Sequence, residues 1–382
     1  MKIAVILSHL SVGQRPLDFW YDNIYKSSRG LTGTDYSAVQ ISKELVERGH
    51  DVHLFTVHAQ PNNKPDEWMG VKLYNCDDRF AGINDSFDVI LSINDPNVFF
   101  NLTEKPLRIC WEFLNDFPFA RPGFDDKVDM WLAVCEQHRD YLFTQMPEEK
   151  YTKQEKWQIL NLGCDPDWYE DRRVKGRIIW ASSPDRGLHN LLEIFPSIKE
   201  AVPEAHLKVF YHFDYDHIKD IDPYGPNNHP HVAEMANRIK YCRYALEKLK
   251  PLGVEHVGSV SQYQMRQEFS EASVLAFPTD TIAFSEGFSV TTLQAHAGYC
   301  VPVITNQDCL GSIYKNSGAV IIDAPVRKNL KQYTNAVIRA LTDQEFADNT
   351  IQKCRKFAIK HSWKKIAEQM EEIILKSPKV KK

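Results

Sequence analysis

Glu286-Gly287-Phe288-Ser289-Val290-Thr291-Thr292-Leu293-Gln294-Ala295-His296-Ala297-Gly298 decides how this chain reads. A carboxylate precedes a glycine turn that runs straight into a helix pattern. Eight positions after Glu286 stands a second polar side chain, Gln294. The apolar run Val274-Leu275-Ala276-Phe277, closed by Pro278, lies before this stretch, and Val301-Pro302-Val303-Ile304 lies after it. Strand, loop, helix, strand is the order that sets a helix N-terminus at the carboxyl end of a parallel sheet. Unpaired N–H groups and the positive end of the helix dipole make that a place for an anion. Backbone N–H groups near Phe288 to Val290 are the expected contacts for a diphosphate. A capped surface helix explains the same pattern without a ligand.

Strands and helices alternate on both sides of this stretch. Upstream in the same half, strands are expected at Ile178–Ala181, Leu207–Tyr211 and Val254–Val257, and downstream at Ala319–Ile322. Helices are expected at 187–201, 232–249, 262–271 and 289–299. The first half repeats the alternation without repeating the sequence. Strands are expected at Ile3–Leu7, Val52–Thr56, Val89–Ile93, Leu107–Trp111 and Trp131–Val134. An amphipathic helix from Asp35 to Arg48 carries Ala38, Ile41 and Leu45 on one line and ends at Gly49. The charged segment Asp165–Gly176 reads as the linker. The last ~35 residues read as helical, with Trp363, Ile366, Met370 and Ile374 on one face. The fold class is therefore α/β: two Rossmann-like, doubly wound lobes facing each other across a crevice that takes the ligand.

Composition agrees with this and excludes several functions. The chain has 382 residues, 43% hydrophobic and 25% charged, which suits two domains of roughly 150–200 residues. A net charge of −5 argues against nucleic acid as a partner. The basic tail Lys376–Lys382 reads as solvated. Eight cysteines without a Cys-x-x-Cys pair read as reduced thiols in a cytoplasmic protein. No stretch is long and apolar enough to span a membrane, and membrane association is not indicated. His229-Pro230-His231 has the wrong spacing for a helical metal pair, and no Gly-x-Ser-x-Gly elbow is present, so no metal is expected.

Four further segments are candidates. Gly30-Leu31-Thr32-Gly33-Thr34-Asp35 precedes the first amphipathic helix; its glycines admit a close ligand, and Thr34 or Asp35 can cap the helix. The long loop before it, 10–33, carries Trp20, Tyr21, Tyr25, Lys26 and Arg29, either as platforms for sugar rings or as a cover for the core. Ser182-Ser183-Pro184-Asp185-Arg186-Gly187 follows a strand and precedes a helix, where the Arg186 guanidinium can neutralise a diphosphate. Asn115-Asp116-Phe117-Pro118 follows the strand 107–111 and sets a polar pair toward the crevice; a turn-forming role explains it nearly as well.

Nearly the whole length resembles the retaining glycosyltransferases of the GT-B fold, family 4 (glycosyl transferases group 1). Their signature is a Glu, a Gly-Phe-Gly turn and a second Glu eight positions on, then Ala-x-Ala-x-Gly-x-Pro-Val. Here it reads Glu286-Gly287-Phe288-Ser289, Gln294-Ala295-His296-Ala297-Gly298 and Pro302-Val303. Gly33-Thr34-Asp35 is similar to the family's first-lobe glycine turn. Asn161-Leu162-Gly163-Cys164-Asp165 is similar to its interdomain segment, and Ser182–Gly187 to its Arg/Lys-Gly motif. Asn306–Gly311 stands in the place of its Gly-Gly loop. Gln294 departs from the second Glu, Ser289 from a Gly, and Arg186 stands where a pair of cations is usual.

The resemblance implies transfer of a sugar from a nucleotide diphosphate sugar (UDP- or GDP-linked) to an acceptor hydroxyl, with retention of anomeric configuration. The acceptor is a carbohydrate, glycan or glycoprotein. It implies an acceptor domain over 1–168, a donor domain over 169–355, and a helix over 356–382 returning to the first. Glu286, Arg186 and Asp116 are the implied catalytic residues. Gly33, Thr34, Ser183, Gly287, Phe288, Ser289, Val290 and Gln294 are the implied donor contacts. No cofactor beyond the donor substrate is implied, since fixed cations and N–H groups stand in for a metal. A nucleotide-sugar-binding protein without catalysis and a nucleotide-sugar epimerase of the same fold remain open. A nicotinamide dehydrogenase is disfavoured, because no glycine fingerprint follows the first strand.

Overall fold

Runs of Ile, Val, Leu and Phe without polar alternation have to be covered on both faces, and that is the condition of a parallel strand. In the structure, a computed structural model, these runs form two sheets. Residues 1–8, 16–19, 23–27, 30–76, 82–117, 120–146, 154–213 and 230–380 are described. The chain divides into two compact units, Met1–Gly163 with His361–Lys382, and Cys164–Lys360.

Among the described residues the first unit holds an eight-stranded sheet. Its strands are β1 (Lys2–Leu7), β2 (Asp51–Thr56), β3 (Glu67–Trp68), β4 (Val71–Asn75), β5 (Val89–Ile93), β6 (Leu107–Glu112), β7 (Met130–Ala133) and β8 (Trp157–Ile159). Their order is β3-β4-β2-β1-β5-β6-β7-β8, parallel except for the β3–β4 pair. Ile3 pairs with Val52 on one side and Val89 on the other, so the winding reverses at β1. The sequence reading lacked β3, β4 and β8. β3 and β8 are two- and three-residue edge strands, too short for periodicity to register. In β4 only Val71 and Leu73 are buried, as suits a strand near an edge.

The second unit holds a six-stranded sheet: β9 (Arg177–Ala181), β10 (His206–Phe210), β11 (Val254–Gly258), β12 (Val274–Phe277), β13 (Val301–Thr305) and β14 (Val320–Ile322). The order is β11-β10-β9-β12-β13-β14, all parallel. The winding reverses between β9 and β12. The loops leaving these two adjacent strands are Ser182–Gly187 and Pro278–Ser289, so the reversal sets the two motifs side by side.

The segment Asp165–Gly176 is not a free linker. Arg172 N–H donates to the Ser270 carbonyl at 3.1 Å and Val174 N–H to that of Glu271 at 2.8 Å. Arg355 donates to the Pro166 carbonyl at 2.7 Å. These bonds tie the segment to the second unit, and the chain changes unit at 163/164 and 360/361, where the sequence reading placed the changes after 168 and 355. Charge and polarity had marked the segment as the linker; the backbone bonds make it part of the second unit.

The last helix, Trp363–Lys376, belongs to the first unit and buries Trp363, Ile366, Ala367, Met370 and Ile374. The Trp363 ring meets Tyr36 edge-on at 6.2 Å between centroids. A side chain at Gly163 would bring its Cβ to 2.6 Å from Trp363 Cδ2, so only glycine lets the indole in. Glu371 accepts from Arg48 Nε at 2.9 Å, fastening the helix to the end of the Gly33–Glu47 helix.

Candidate functional site

The 184–187 turn follows β9. Gly187 has φ +125, and a Cβ there would lie 2.2 Å from the Pro278 carbonyl oxygen. Glycine is therefore required for the turn to lie against the chain leaving β12. Asp280 N–H then donates to the Arg186 carbonyl at 3.0 Å, joining the two loops. From this turn the Arg186 guanidinium donates to Glu286 Oε2 at 2.8 Å. The Glu286 side chain is 5% exposed and that of Arg186 33%. Burial raises the proton affinity of Glu286, while the Arg186 charge and hydrogen bond oppose it. The Glu286 charge in turn holds Arg186 above its ordinary value.

Ser289, with φ 64, caps the helix Val290–Ala297: its hydroxyl accepts from Thr292 N–H at 3.3 Å. The helix thus begins one residue later and ends two earlier than the sequence pattern had it. Val290 and Thr291 are its first two residues, whose N–H groups have no acceptor inside the helix. Thr291 Oγ1 donates to the Ala181 carbonyl at 2.6 Å, tying this helix start to the end of β9. Gln294 lies one turn along, half-buried, and its side-chain amide bonds to none of the described residues. Gly287 and Phe288 are buried between Glu286 and the cap. Ser183 Oγ donates to Asp185 within the turn.

The second unit thus brings together Ser183, Arg186, Glu286, Gly287, Phe288, Ser289, Val290 and Gln294. Gly33, Thr34 and Asp116 lie in the first unit. There Thr32, and neither Thr34 nor Asp35, is the N-cap: its hydroxyl accepts from Asp35 N–H at 3.2 Å and its N–H donates to Asp35 Oδ2 at 3.1 Å. Thr32 precedes a serviceable acid at the third helical position, a signal the sequence already carried. Gly33 and Thr34 become the first two helical residues. Tyr25 is 5% exposed, accepts from Gln40 Nε2 at 3.1 Å and packs on Trp68, so it covers the core and is no platform for a sugar. Trp20, Tyr21, Arg29, Pro118 and His229 lie outside the described residues. Asp116 is exposed.

Sequence reasoning missed three groups. Arg238, on the helix Pro230–Leu249, donates to the Asp185 carbonyl at 3.1 Å and to that of Asp280, a second cation at the turn supplied from another element. Asp308 accepts from the loop that carries Glu286. In the first unit Glu112, 1% exposed at the end of β6, is pushed by burial up to about 8, with the Asp95 and Asp116 charges adding to the rise. Its Oε1 accepts from Cys110 Sγ at 3.1 Å, and its Oε2 has no partner among the described residues. Arg238 and Glu112 sit in no motif, so no local signal marked them; Asp308 lies in the Asn306–Gly311 segment, but nothing there singled out its side chain. Among the described residues no three His, Cys, Asp or Glu side chains converge as a metal set.

No known family profile matches the sequence, and no curated protein matches it by sequence. Solved structures do match its fold. A sucrose-phosphate synthase from Thermosynechococcus elongatus superposes with a TM-score of 0.64 at 13% identity, over 97% of this chain and 98% of the other. HepE from Anabaena, solved with UDP and glucose, gives 0.62 at 11% identity, over 98% and 99%. A trehalose-6-phosphate synthase, studied for glycosyl transfer with retention, gives 0.67 at 9% identity, over 99% of each chain. The fold is that of the GT-B glycosyltransferases.

Proposed function

We propose that this protein is a retaining glycosyltransferase that moves a sugar from a UDP- or GDP-sugar to the hydroxyl of a carbohydrate, glycan or glycoprotein. The observation that carries the reading is the Arg186–Glu286 pair at 2.8 Å, set beside a capped helix start where two parallel strands diverge. The likeness to structures that include one solved with UDP and glucose supports the donor class.

In this reading the N–H groups at 287–290 and the Arg186 guanidinium take the diphosphate, and Glu286 takes the hydroxyls of the donor sugar. Gln294 bonds the ribose as an amide, and Ser183 borders the phosphates. The acceptor oxygen bonds to the anomeric carbon on the face from which the diphosphate oxygen leaves, and the acceptor proton passes to that oxygen. No protein nucleophile takes part; the chain supplies position and charge. Gly33 and Thr34 are proposed as further donor contacts and Asp116 as a catalytic residue, as the resemblance implies, and no metal is required. Among the described residues no helix is long and apolar enough to cross a membrane.

The test is a panel of UDP-, GDP-, ADP- and dTDP-sugars, each with and without a mixture of acceptor glycans, read as released nucleotide and as labelled product. Transfer to an acceptor with the donor's anomeric configuration supports the proposal. An epimerised donor in the absence of acceptor identifies an epimerase, and binding without turnover identifies a nucleotide-sugar-binding protein.

A further inference from the structure

Glu286 owes its backbone placement to two consecutive residues of another loop. Asp308 Oδ2 accepts from Glu286 N–H at 3.0 Å, from Ser285 N–H at 2.9 Å and from Thr281 Oγ1 at 3.0 Å. Cys309 N–H donates to the Glu286 carbonyl at 3.2 Å. Both polar groups of the Glu286 peptide backbone are thus fixed from the segment that follows β13. The same segment reaches Ser289, whose carbonyl accepts from the buried Tyr314 hydroxyl at 2.9 Å.

Asp308 is itself fixed. Gln307 Nε2 donates to its Oδ1 at 3.0 Å and to Thr281 Oγ1 at 3.0 Å. Its backbone has φ 49, the left-handed region that costs a non-glycine residue energy and persists only where the surroundings over-determine it. Three donors converging on one charged oxygen form stronger bonds than neutral acceptors would give, and they define the loop's position in all directions.

We infer that Asp308 is the positioning residue for Glu286: it holds the 281–286 loop so that the Glu286 carboxylate meets the donor sugar. The inference rests on the glycosyl-transfer reading for its catalytic consequence, and on the hydrogen bonds alone for its structural one. Asp308 does not touch substrate. It acts on the part of the site that grips the sugar, whereas the diphosphate contacts come from 287–290 and Arg186.

The experiment compares Asp308→Ala with Asp308→Asn in the full chain. Asparagine keeps an oxygen acceptor and tolerates left-handed backbone. With the nucleotide sugar that the wild type consumes, D308A is expected to lower kcat about tenfold or more, with UDP affinity within about twofold by calorimetry, and D308N to recover most of the turnover. Wild-type kcat in D308A overturns the inference. So does a joint collapse of kcat, UDP affinity and Tm that D308N does not rescue, which is the mark of a merely structural residue. Hydrogen exchange at the Ser285 and Glu286 amides separates this from failure of the functional reading. Faster exchange in D308A, restored in D308N, supports the clamp even if the wild type turns over no nucleotide sugar; unchanged exchange in D308A overturns it.

Discussion

Arg186 and Glu286 stand a hundred residues apart in the chain, yet the guanidinium donates to the carboxylate at 2.8 Å. The pair is a product of topology: the two loops leave neighbouring strands at the point where the winding reverses. Each charge lies where burial penalises it, and each is relieved by the other.

Replacing either partner by alanine strands the other charge, and on the proposed reading it also removes one charged contact to the transition state. Glu286→Ala and Arg186→Ala are each expected to lower kcat at least ~100-fold. Steady-state kinetics on the preferred donor checks this, and near-normal rates in both variants would sink the site assignment.

Gln294 is half-buried, with no side-chain partner among the described residues. A carboxylate accepts from a hydroxyl more strongly than an amide does. Gln294→Glu is therefore expected to keep or tighten donor binding. Titration calorimetry with the donor nucleotide measures it, and a large loss of affinity would assign this position another task.

Gly187→Ala should unfold the junction of the two loops. The new Cβ meets the Pro278 carbonyl, and φ +125 is closed to alanine. The expected cost is at least about 2 kcal/mol, read as a lower urea midpoint, with Arg186 displaced and turnover lost. A midpoint equal to the wild type would contradict the tight approach.

Stability should fall in mild acid. Burial lowers His58 and His138 from 6.5 to about 4. In the folded state both stay neutral where the unfolded chain binds protons. Their contribution is complete above pH 6.5 and is lost progressively as the pH falls from 6.5 toward 4, on the order of 1–2 kcal/mol each by pH 5. Urea midpoints at pH 7.5 and 5.0 should differ accordingly. A flat profile would falsify the buried-neutral assignment, and His138→Gln should flatten the profile in part.

The architecture was legible because its strands are buried on both faces. Val89–Ile93 and Val274–Phe277 occur with the bounds their apolar runs suggested. The Glu286 motif was legible because its chemistry is compressed into thirteen neighbouring positions. What escaped was assembled from distant parts. Arg238 reaches the 184–187 turn from a helix whose sequence announces nothing. Asp308 matters for the three donors that meet it, which belong to another loop. Glu112 reads as the polar end of a strand, and only the enclosure around β6 makes it a proton-binding group. Asp165–Gly176 misled for the same reason: its charges suggested a linker, and its backbone found partners in the second unit.

The return of the Trp363–Lys376 helix to the first unit sets an order on biosynthesis. The second unit is one uninterrupted stretch, complete once residue 360 has been made. The first unit needs chain that follows this stretch before Trp363 can close against Gly163 and Tyr36. The indole slot of the first unit is thus filled by chain made after the whole of the second.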